Sequence, residues 1–84
     1  MNEKSEIIQV IEASEVALLE EIGKSELGIS NKPIRQLKTI AYELEMMKIE
    51  SGFVPVFPSF IIDSWDYDDP LGRRLLELYL LYKR

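Results

Sequence analysis

Asp63, Asp66, Asp68 and Asp69 fall within seven residues, and the chain has no other aspartate. Oxygen ligands at that density could hold calcium or magnesium. Acids held about 5–9 Å apart could also run hydrolysis as an acid–base pair. The spacing argues against the metal. Asp66, Asp68 and Glu77 echo positions one, three and twelve of a calcium-binding helix–loop–helix. The fifth position, however, is Pro70, and the sixth, where a sharp turn needs glycine, is Leu71. A local role accounts for the aspartates better. Asp69 can cap a helix beginning at Pro70, and Asp66 or Asp68 can balance Arg73 and Arg74, whose place in a first helical turn the dipole disfavours.

Catalysis has little else to draw on. The chain contains no histidine and no cysteine, so the commonest general base, thiolate nucleophiles and cysteine-held zinc are all excluded. It has no glycine-rich phosphate loop. No enzymatic activity, metal or cofactor is expected.

The same region does have the character of a recognition element. Residues 53–70 contain all three phenylalanines, three of the four prolines and the only tryptophan, Trp65. Aromatic side chains are enriched where binding energy concentrates, and they also fill gaps in small cores. Phe57, Phe60 and Ile61 are expected in the core. Trp65, Asp66, Tyr67 and Asp68 form the candidate protein-binding site, with Trp65 and Tyr67 partly exposed.

Charge narrows the class of partner. The formal net charge is −5. Residues 1–26 hold seven glutamates against Lys4 and Lys24, and residues 53–69 hold the four aspartates and no cation. Residues 70–84 are basic, with Arg73, Arg74, Lys83 and Arg84 against Glu77. Two acidic blocks repel a phosphate backbone, so nucleic acid is not an expected ligand. A basic protein surface is. The N-terminus is acidic and lacks an apolar run behind it, so no signal peptide is read, and no apolar run approaches the ~20 residues of a membrane span. A cytoplasmic location is the default expectation.

Eighty-four residues with 46% apolar content make a single domain with a real but modest core. Residues 5–22 predict a first helix, with Ile7, Ile8, Val10, Ile11, Leu18, Leu19 and Ile22 on one side and Gly23 as its stop. Glu15 falls inside that apolar arc. Either it pairs with a basic residue of another helix, or it lies at an interface, or it reaches solvent at the helix edge, the simplest of the three. Residues 23–32 read as a loop whose Leu27 and Ile29 tuck onto the core, ending in Ser30 or Asn31 as a cap. Residues 33–50 predict a second helix, with Ile34, Leu37, Ile40, Ala41, Leu44 and Met47 at three- and four-residue steps. Residues 53–69 predict an ordered, irregular connection, because Pro55 and Pro58 exclude a helix interior and a central strand. Within it, residues 58–65 fit a short helical turn pairing Ile61 with Trp65 slightly better than an extended path. Residues 70–83 predict the last helix, apolar nearly all round, which suggests that part of it meets another subunit or another protein.

The expected fold is all-α: three helices in a bundle-like domain with a long aromatic, proline-containing connection before the last. The expected function is a small acidic protein-binding module, of which an inhibitor, immunity-type or regulatory protein is an example by size and charge. The alternatives are a structural homo-oligomer or accessory subunit, and a carboxylate metal-binding protein or hydrolase.

Overall fold

The computed structural model describes residues 3–50 and 52–83, and among these it contains four helices and no strand. They are α1 (Glu3–Glu26), α2 (Ile34–Ile49), α3 (Phe57–Ser64) and α4 (Pro70–Tyr82). The all-α expectation holds. The helix count is four because the connection before the last helix itself contains α3, opened by Pro58 in its first turn.

The stop of α1 is Gly28, five residues beyond the expected Gly23. Glycine inside a helix costs only about 1 kcal/mol, so Gly23 is simply carried through. Gly28 has φ +77°, which a residue with a Cβ rarely adopts. Around it Ile29 N–H donates to the Lys24 carbonyl at 2.9 Å and Gly28 N–H to the Ser25 carbonyl at 3.1 Å. These two bonds satisfy carbonyls that the helix end would otherwise leave unpaired. The shortened link then turns its apolar residues outward: Leu27 is 77% exposed, and Ile29 is exposed too, not tucked onto the core.

Pro33, not Ser30 or Asn31, occupies the cap position of α2, with no side-chain cap. Its carbonyl accepts from Gln36 and Leu37. Asp69 caps α4 as expected, accepting from Gly72 N–H at 2.8 Å, with Pro70 in the first turn.

Helix α1 lies against α2 and α4, and α3 closes the ring by lying against those same two helices. Leu37, Ile40, Leu44 and Met47 of α2 meet Ile11 and Leu18 of α1, Phe57 and Ile61 of α3, and Leu75 and Leu78 of α4 in one buried cluster. Trp65 completes that cluster. The wide apolar arc predicted for α1 is narrower in fact: Leu19 and Val10 are exposed, and Ser14 is buried, its hydroxyl donating to the Val10 carbonyl at 2.9 Å. Glu15 takes the interhelical option, with Lys48 Nζ of α2 at 2.9 Å. The Glu15 carboxylate raises the Lys48 pKa above its usual value, against the opposing effect of burial.

The stretch between α2 and α3 is fixed from both sides. Pro55 is buried. The Tyr82 hydroxyl donates to the Phe53 carbonyl at 2.6 Å, and burial pushes that phenol's pKa up, with Glu50 adding to it. From below, Glu43 of α2 supplies the helix cap that α3 lacks. Its two carboxylate oxygens accept from Val56 N–H at 3.0 and 2.9 Å, and one also accepts from Phe57 N–H at 2.8 Å. Glu43 is 4% exposed. The first N–H groups of a helix have no intrahelical acceptor, and the dipole there favours an anion. A glutamate from a neighbouring helix meets both needs.

Candidate binding tip

The turn between α3 and α4 carries the candidate residues, and it is built from two anchors. The first is Trp65. Its backbone N–H donates to the Ile61 carbonyl, ending α3. Its indole is only 9% exposed and donates through Nε1 to Gln36 Oε1 at 2.8 Å. This corrects the expectation of a partly exposed tryptophan. A flanking run of acids suggested the surface, but Ile61 and Trp65 lie one helical turn apart and face the core together.

The second anchor is Asp69. Its carboxylate accepts from Gly72 N–H with one oxygen and from Lys32 Nζ with the other, at 2.7 Å. Burial raises its pKa, but Lys32 and the Gly72 N–H outweigh that and hold it below the usual carboxylate range. Lys32 is itself buried. Its ammonium also donates to Asn31 Oδ1 at 3.1 Å, lies 3.9 Å from a Glu21 oxygen, and sits 5.1 Å from the centre of the Trp65 ring. The two anchors therefore share one cation. A polar cleft of about 220 Å³ opens beside it, bounded by Asn31, Trp65, Asp66 and Asp69.

Gly72 allows this closure. A Cβ there would stand 3.2 Å from Ile61 Cγ2 and 3.2 Å from Trp65 Cε3, tighter than ordinary packing. The absence of a side chain lets α4 approach the end of α3.

Between the anchors the chain turns outward. Tyr67 is 95% exposed, and Asp66 and Asp68 are exposed on either side of it, with Asp63 exposed at the end of α3. Of the four predicted residues, three project from the surface and Trp65 is folded beneath them. The expected balancing of Arg73 and Arg74 by Asp66 or Asp68 is not seen: no ion pair to any of these residues occurs among the described residues. Asp69 alone serves the helix start.

Comparison with known proteins adds no relative. No family model, curated protein or solved structure matches the chain.

The tip's chemistry is thus set by its own geometry. Among the described residues no three carboxylates converge as metal ligands would, because Asp69 turns inward to Lys32 while Asp66 and Asp68 point out. No described helix is long and apolar enough to cross a membrane. Two polar residues that matter here lay outside the candidate set. Glu43 and Gln36 both sit beside the apolar stripe of α2, Glu43 three residues from Ile40 and four from Met47, Gln36 four from Ile40. A polar residue inside an apolar stripe was the available signal.

Proposed function

We propose that the protein is a non-catalytic binding module that engages a basic protein surface through Asp66, Tyr67 and Asp68. The observation that carries the reading is the exposure of Tyr67. A phenol that is 95% exposed contributes nothing to the core, yet the turn presenting it is fastened at both ends. Fastening lowers the ordering cost of association. Tyrosine offers a large apolar ring and a hydroxyl in a side chain with few rotatable bonds. The exposed Asp63, Asp66 and Asp68 steer a cationic partner and suppress an acidic one. Trp65 acts in this reading as the support of the tip, not as a contact.

The test is quantitative capture of partners from a lysate of the source cells. It compares the wild type with Tyr67→Ala and with Asp66→Asn/Asp68→Asn, at low and high salt. The reading expects a protein rich in lysine or arginine that is retained by the wild type, lost with either variant, and released by salt. Equal recovery of every captured protein by all three baits would reduce the turn to a structural connection.

A further inference from the structure

A second surface is unpartnered in the monomer. An open cleft of about 400 Å³ runs between α1 and α4, lined by Val10, Ala13, Ser14, Leu78 and Leu81 with Arg74 and Glu77 at its rim. A second cleft continues it toward the start of α4, where Glu20 and Arg74 line the same space. The two helices are therefore antiparallel, the beginning of α1 lying beside the end of α4. Their outer faces are apolar at the centre, with Val16 exposed on α1 and Leu80 58% exposed on α4. Those faces carry opposite charge. Exposed Glu6, Glu12 and Glu20 mark α1, while exposed Arg73 and Arg74 mark α4. No ion pair to any of these five residues occurs among the described residues.

We propose that this face pairs with the same face of a second copy of the chain, about a two-fold axis running along the α1–α4 groove. Such an axis lays α1 of each copy on α4 of the other and keeps every residue at its own height. Because Glu20 and Arg74 already stand at one level, Glu20 comes opposite the partner subunit's Arg73 and the partner subunit's Arg74. The symmetry repeats that pairing on the other side of the axis. Val16 and Leu80 are covered in the middle. Glu12 and Glu77 are the unfavourable neighbours, and α4 is only about 20 Å long. The contact is therefore small and the dimer weak and salt-sensitive. The acidic tip stands at the α3–α4 turn and is not needed for this pairing.

Sedimentation equilibrium over a concentration series tests the proposal, using wild type, Glu20→Arg, and the double variant Arg73→Glu/Arg74→Glu. All three positions are exposed, and circular dichroism checks that the helices are kept. The wild type should dimerise reversibly. Each variant alone should weaken association by about tenfold or more, because like charges then face each other on both sides of the axis. An equimolar mixture of the two variants should recover dimers, since every reversed charge then meets its opposite. A wild type that stays monomeric throughout the series overturns the proposal. So does a mixture that associates no better than the separate variants.

Discussion

The Glu43 carboxylate is the most consequential polar group in the fold, and its removal gives a sharp test. It is buried and accepts from two backbone N–H groups at the start of α3. Glu43→Ala leaves both donors facing a small apolar cavity. Each buried donor left unpaired costs about 1–3 kcal/mol, more where the lost acceptor was charged, so the substitution should destabilise by about 3–5 kcal/mol. A domain of this length has roughly 4–13 kcal/mol in total, so the variant should lie close to unfolding at room temperature. Glu43→Gln keeps one carbonyl-type acceptor but sets an amide NH₂ near the second site, and should cost about 1–2 kcal/mol. Urea unfolding followed by circular dichroism and by Trp65 fluorescence measures both. Hydrogen exchange adds a local reading, since the Val56 and Phe57 amides should lose protection in the alanine variant before the core of α2 does. An alanine variant within about 1 kcal/mol of wild type, or one as stable as the glutamine variant, would refute the cap.

Three further outcomes follow from the same geometry. Lys32→Met should destabilise by about 3 kcal/mol in urea, because it strips the half-buried Asp69 carboxylate of its cation. An increase in stability would show that the pair is dispensable. The lowered Asp69 pKa means that its contribution is complete above the ordinary carboxylate value of about 3.9 and is lost as pH falls through the lower folded value. Acid melts of wild type and Asp69→Asn should therefore converge at the bottom of that range. Gly72→Val should cost about 2 kcal/mol by forcing Ile61 and Trp65 away from α4, read as a lower urea midpoint with a red shift of Trp65 emission. At the alkaline end the raised pKa values of Tyr82 and Lys48 have the same sign. Their stabilisation is full below about pH 10 and is lost as pH rises through the folded values. Thermal melts should fall there, less steeply in Tyr82→Phe, and an unchanged slope would deny the tyrosine its part.

The helices of this chain were legible wherever local chemistry decides them. The apolar stripe of α2 and the Asp69–Pro70 start of α4 carry their own signals, and both elements stand within a residue of expectation. The end of α1 was misplaced because two glycines follow the apolar pattern. Only the backbone shows that Gly28, not Gly23, takes the left-handed conformation. The long-range polar contacts were harder to read. Nothing local to Glu43 announces an N-terminus thirteen residues away, and nothing beside Lys32 announces an aspartate thirty-seven residues on. The candidate tip was legible in composition and misjudged in depth. Acids around Trp65 suggested water, while the one-turn spacing to Ile61 decided for the core.

Fastening a short turn by residues just outside it separates two requirements that most loops must satisfy together. Positions 66–68 can change identity while Trp65 and Asp69 continue to hold the ends in place. Natural variation, or a library of randomised triplets, could therefore alter what the turn recognises without first having to rescue the domain. In that sense the chain is a ready mount for displaying short sequences.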